Sequence, residues 1–135
     1  IPNFILPPEE ANIRLGKWGM LHKDYLLKHK KAVFATLLAE GKLYQHCAEV
    51  EKQAQQMFDT LVEQMKQTST TNGAAYWDMY GVMGGYNSMI AWVNHSPQWA
   101  APDYIHFTRK GADRIAQVLW QTFMIYYDYQ FFVKP

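Results

Sequence analysis

The chain has a single cysteine, Cys47, in 135 residues. One thiol excludes an internal disulfide framework and a cysteine-built zinc site. Long apolar runs are missing as well: none reaches the roughly 20 residues needed to cross a bilayer, so no membrane association is expected. No basic-then-apolar leader opens the chain, and the cytoplasm is the default expectation. Neither sign of charge dominates. Thirteen Lys and Arg stand against twelve Asp and Glu, so no global field gathers nucleic acid or anionic lipid. Glycine-rich phosphate loops are absent, since Gly84-Gly85 lacks the Lys-Ser/Thr that would follow. With 49% apolar and 19% charged residues, the composition excludes intrinsic disorder.

What is present is unevenly spread. Residues 1–68 hold nine Lys and Arg and eight Asp and Glu, whereas residues 69–135 hold four of each. Aromatic residues run the other way, six and then fifteen. Two segments with different packing needs are expected. The seam falls at Thr68-Ser69-Thr70-Thr71-Asn72-Gly73, a small polar stretch with turn residues. The expected organisation is a helical segment over 1–67, a linker over 68–74 and a second segment over 75–135.

Pro2, Pro7 and Pro8 predict an extended entry. Leu15, Trp18, Leu21, Tyr25 and Leu26 then recur at helical spacing, and Val33, Leu37 and Leu38 continue the period. Gly41 is placed to stop a helix. Leu43, Cys47, Val50, Ala54, Met57, Leu61 and Met65 form one apolar stripe over about six turns, with Lys, Glu and Gln opposite. Such a stripe predicts burial against another helix or self-association through the Leu43–Met65 helix. Residues 15–67 should therefore form a helical hairpin or a three-helix unit.

His22, Lys23, Lys28, His29, Lys30 and Lys31 make a local basic patch, interrupted by Asp24. A solvated helix face is the ordinary reading of such a run; contact with the phosphates of nucleic acid is the alternative. Cys47 sits on the apolar stripe with no base beside it, which reads as a small buried residue.

Several short blocks of this half occur in a telling order. They are Leu6-Pro7-Pro8-Glu9-Glu10, Gly16-Lys17-Trp18-Gly19, Tyr25-Leu26, and Leu37-Leu38 to Gly41-Lys42-Leu43, with His46 and Glu49. Over about residues 1–66 the chain resembles the TnpV family of small transposon-encoded proteins. The resemblance implies a helical segment and transfers no catalytic residue. Family members continue into another polar helical segment, whereas this chain turns aromatic.

In the second half, Tyr76-Trp77-Asp78-Met79-Tyr80 reads as the end of one short strand, broken by Gly81, Gly84 and Gly85. Ser88 is placed to cap a helix over Met89 to Asn94. Thr108 is placed to cap the last helix, with Ala112, Ile115, Ala116, Leu119, Phe123 and Tyr126 as its apolar face. Trp92, Trp120 and Phe123 read as core.

Between them lies Asp103-Tyr104-Ile105-His106-Phe107. An Asp three residues before a His, in a loop entering a helix, can accept the imidazole N–H and fix its tautomer. The other ring nitrogen is then free to take a proton from a serine. The spacing alone also fits a surface Asp beside a helix-flanking His.

The neighbouring blocks add context: Tyr76-Trp77-Asp78-Met79-Tyr80, Met83-Gly84-Gly85, Asn87-Ser88-Met89, Trp92-Val93, Asp103 to Thr108, and Lys110-Gly111-Ala112. Together, over residues 75–128, they resemble the C-terminal end of SGNH (GDSL-like) hydrolases, nearest to members acting on acetylated carbohydrate or cell-wall esters. The resemblance implies catalytic roles for Asp103 as orienting acid and His106 as general base. It also implies an acyl-ester or acetylated-carbohydrate substrate once the enzyme is complete.

The rest of that machinery has no match. Ser69, Ser88 and Ser96 are the only serines, and none follows Gly-Asp. The family's Gly and Asn oxyanion donors are missing too, and a base without nucleophile and oxyanion hole retains little catalysis. No cofactor and no metal is expected, because His95 lacks a carboxylate at ligand spacing and one Asp with one His does not make a site. The expected fold is mostly α, a helical half joined to the loop–helix piece of an α/β SGNH-type fold without a complete sheet. Three functions compete: a composite of the two segments, inactive as an esterase; an esterase fragment active only with its missing N-terminal part; and a non-enzymatic module for oligomerisation or DNA binding.

Overall fold

A computed structural model describes Glu10 and residues 12–133. The extended entry expected at Pro2, Pro7 and Pro8 lies outside the described residues. The elements are α1 (Lys17–His29), α2 (Lys31–Ala39), α3 (Leu43–Thr71), α4 (Met79–Met83), α5 (Ser88–Asn94) and α6 (Arg109–Asp128), followed by a π-helical turn, Tyr129–Val133. The protein is mostly helical, with no strand among the described residues. An isolated antiparallel bridge joins Ala100 to Phe107. Contacts divide the chain into two units after Tyr76.

In the first unit α1 runs antiparallel along α3. Trp18 meets Phe58 with ring centroids 5.9 Å apart, Gly19 meets Glu51, His22 meets His46, and Lys23 meets Tyr44. The two helices approach closely because residue 19 has no side chain: a Cβ there would stand 3.0 Å from the Cys47 carbonyl oxygen. Leu26, Leu43 and Cys47 form the buried centre, with Leu15, Phe34, Leu37, Leu38 and Tyr44 packed around it. Burial pushes the Cys47 thiol up, which disfavours the nucleophilic thiolate. The helix break at Lys30 separates α1 from α2, and Gly41, at φ +66°, turns the chain into α3.

The start of α3 has an unusual cap. Lys42, at the N-cap position, makes no side-chain cap bond. Instead the Glu10 carboxylate, buried and 34 positions away, accepts from the Tyr44 N–H at 2.8 Å and the Gln45 N–H at 3.3 Å. A negative group there satisfies unpaired donors and complements the helix dipole.

The apolar stripe of α3 is covered over only part of its length. Leu43 and Cys47 are buried, but Met57, Leu61 and Met65 are 68%, 51% and 61% exposed. Length explains this. At 1.5 Å per residue the 29 residues of α3 span about 43 Å, against about 20 Å for the 13 of α1. Helix α3 also continues through Thr71, into the stretch expected to turn. The Thr70 hydroxyl donates to the Lys66 carbonyl at 2.7 Å, so this side chain bonds back into the helix.

The second unit departs from expectation at its start. No strand forms at Trp77; Asp78 instead caps the short helix α4, its Oδ1 accepting from the Gly81 N–H at 2.8 Å. Asn87 occupies the N-cap of α5, and Ser88, expected there, is the first helical residue and is buried. Met89, Trp92, Val93 and Ala100 make the core, with Met83, Trp99, Tyr104, Phe107 and Ile115 packed against it. The Trp92 indole N–H donates to the Met83 carbonyl at 3.1 Å.

Thr108 caps α6 as expected, accepting from the Gly111 N–H at 3.2 Å. Of the apolar face expected for α6, Ile115 packs on the core but most of the rest does not. Trp120 is 63% and Phe123 54% exposed, and Leu119 and Tyr126 are exposed too. Gly111 is buried, and Ile115, Val118 and Met124 are half-buried.

Candidate active-site pair

The loop between α5 and α6 is pinned at both ends. The Trp99 N–H donates to the Trp92 carbonyl at 3.0 Å, and the Thr108 N–H to the Trp99 carbonyl at 3.0 Å. Inside that closure the Ala101 N–H donates to the His106 carbonyl at 2.8 Å. The tip turns at Tyr104, whose φ of +59° lies in the left-handed region. That conformation costs a side-chain-bearing residue on the order of 1–2 kcal/mol, offset here by packing of Tyr104 on the core.

This tight turn brings Asp103 and His106 together. Oδ1 of Asp103 accepts from the backbone N–H groups of Ile105 at 2.9 Å and His106 at 3.0 Å. Oδ2 lies 2.7 Å from Nδ1 of the His106 ring. An ionised carboxylate only accepts, so Nδ1 carries the proton and Nε2 of the neutral ring is left as an acceptor. The His106 ring hydrogen bond, followed by the two backbone N–H donors, lowers the Asp103 pKa to about 2. The carboxylate therefore remains charged throughout the range in which a histidine titrates.

The arrangement matches what a general base requires on one side. Both side chains are open to water, His106 at 77% and Asp103 at 47% exposure. Among the described residues, no serine hydroxyl hydrogen-bonds to Nε2. Ser88 is buried on α5, Ser96 precedes a cis-proline bond, and Ser69 belongs to α3 of the first unit. The pair can take up a proton, and among the described residues no serine hydroxyl is bonded to it.

The other residues singled out in the sequence are placed as follows. The basic patch is split. Lys28 pairs with Asp24 at 2.7 Å, and Lys23 donates to the Tyr44 hydroxyl at 2.8 Å while lying over its ring. Lys30 and Lys31 are exposed at the α1–α2 break. The His95 ring stacks on Trp99 at 3.6 Å and its Nδ1 lies 2.8 Å from the Pro97 carbonyl oxygen, a satisfied role. Sequence reasoning missed Glu10, Glu51 and the His22–His46 contact. Their partners lie 34, 32 and 24 positions away, beyond the reach of any local pattern.

By architecture this is a small helical protein whose first unit is a three-helix assembly. A family model for the transposon-encoded protein TnpV matches residues 1–90, and the chain belongs to that family. The match extends beyond the 1–66 expected from short blocks and ends within α5. Comparisons with curated proteins and with solved structures found no match, and nothing in the comparisons supports a hydrolase segment.

Proposed function

We propose that this TnpV-family chain carries the loop–helix end of an SGNH-type ester hydrolase, catalytically incomplete within residues 1–135. The observation behind this is the 2.7 Å contact between Asp103 and the His106 ring, with Nε2 facing away from the carboxylate. Asp103 orients the ring and stabilises the imidazolium; His106 is the base that would draw a proton from a serine supplied elsewhere. With neither nucleophile nor oxyanion donors, the pair yields little rate enhancement. The experiment is hydrolysis of a short acyl ester such as p-nitrophenyl acetate. The expected result is background turnover, unchanged by His106→Ala. Turnover abolished by that substitution overturns the proposal in favour of a working esterase. Mixing the chain with an SGNH hydrolase lacking its own Asp-x-x-His end tests completion by a separate body.

A second reading rests on α3. The exposed Met57, Leu61 and Met65 continue a stripe whose first two positions, Leu43 and Cys47, are buried, which supports self-association of the TnpV-family unit through this helix.

A further inference from the structure

His22 on α1 and His46 on α3 face each other with their Nε2 atoms 3.1 Å apart. The distance suits one hydrogen bond between neutral rings. It also suits two ligands on one metal ion. With Zn–N bonds of about 2.0–2.1 Å and a tetrahedral angle, two ligating nitrogens lie about 3.3 Å apart. The observed 3.1 Å is slightly shorter, so the two rings need open only a little to admit an ion.

The helices are locked where the rings meet. One turn away the Gly19 N–H donates to the buried Glu51 carboxylate. On the other side Lys23 donates to the Tyr44 hydroxyl. Rings presented from two helices that cannot slide are held ready rather than assembled on binding, the condition for a precise site. The His22–His46 contact is exposed, so an ion has a route from solvent; His46 also lines a surface hollow with Leu37, Lys42, Gln45 and Glu49. The Lys42 ammonium there is drawn to Glu40 at 3.1 Å.

We propose that His22 and His46 form a two-imidazole clamp for a borderline transition-metal ion, Zn2+ in particular, joining α1 to α3. Both rings bind as neutral imidazoles through Nε2. The ring that now donates from Nε2 passes its proton to its own Nδ1 by way of water, so no net proton is lost. Among the described residues no group of three His, Cys, Asp or Glu is gathered. The remaining positions on the ion therefore belong to water or to an outside anionic ligand.

The test is a calorimetric titration of the full chain with Zn2+ alone, alongside NMR of the histidine rings. One ion per chain is expected, with the His22 and His46 resonances shifting together and the thermal unfolding midpoint rising. His22→Gln and His46→Gln should each weaken binding by at least about tenfold, while a His29→Gln/His95→Gln/His106→Gln chain binds as the parent does. No uptake of Zn2+, or uptake equal in the His22→Gln/His46→Gln double variant, overturns the proposal and leaves a plain hydrogen bond between two rings. The NMR readout on the parent chain decides the matter even where a variant folds poorly.

Discussion

Gly111, in the first turn of α6, lies directly under the carbonyl oxygen of Trp99: a Cβ at residue 111 would stand 1.8 Å from it. The same carbonyl accepts the Thr108 N–H at 3.0 Å. The approach of α6 to the loop carrying Asp103 and His106 therefore requires glycine at this one place.

Gly111→Ala should destabilise the protein by about 1–3 kcal/mol, the usual range for overpacking. The sign is informative, because alanine in a helix is otherwise favoured over glycine by about 1 kcal/mol. A lowered midpoint in chemical denaturation is the expected result; a raised one would mean that the loop moves away without cost.

The Asp103 carboxyl should titrate near 2, well below the ordinary value of 3.8. A folded-state pKa depressed in this way contributes stability that is fully present above the unfolded value. That contribution declines as pH falls from about 4 through about 2. Carboxyl-detected NMR should show the low value, and His106→Ala should move it back up, since the ring is the largest cause of the depression. A carboxyl titrating at its ordinary value would show that the 2.7 Å contact does not persist in solution.

Glu10→Ala removes the only side chain that bonds the first free N–H groups of α3 among the described residues. The expected loss is about 1–2 kcal/mol, the scale of a lost helix cap. Hydrogen exchange should locate it, with the Tyr44 and Gln45 amides losing protection ahead of the middle of α3. Unchanged protection at both amides would contradict the capping role.

Leu61→Glu places a charge in the middle of the exposed part of the α3 stripe. If copies associate there, light scattering should register a concentration-dependent dimer for the parent chain and a monomer for the variant. A parent chain that stays monomeric at high concentration removes the self-association reading.

What could be read from the sequence was local. The Thr108 cap and the turn at Gly41 each involve residues a few positions apart; Asp103 and His106 are also near in sequence, but their turn is held by Trp99 and by Tyr104 packed on the core. Strand propensity around Trp77 is overridden by the Asp78 cap, which satisfies the Gly81 N–H and starts a helix in place of a strand. The exposed Leu119 and Phe123 illustrate a different limit. Their spacing correctly marks an apolar helix face, but burial depends on whether another element lies opposite, and periodicity carries no information about that.

Residue spacing by itself thus determined that this protein is mostly helical, that a helix stops at Gly41 and that Thr108 starts the last one. Tertiary structure alone decided which half of the α3 stripe is covered, because that follows from the lengths of the helices packed beside it. It also decided that Glu10 caps a helix 34 positions away and that His22 meets His46. Such contacts arise only when distant segments are brought together, and their energies depend on burial and distance, quantities that the order of residues does not contain.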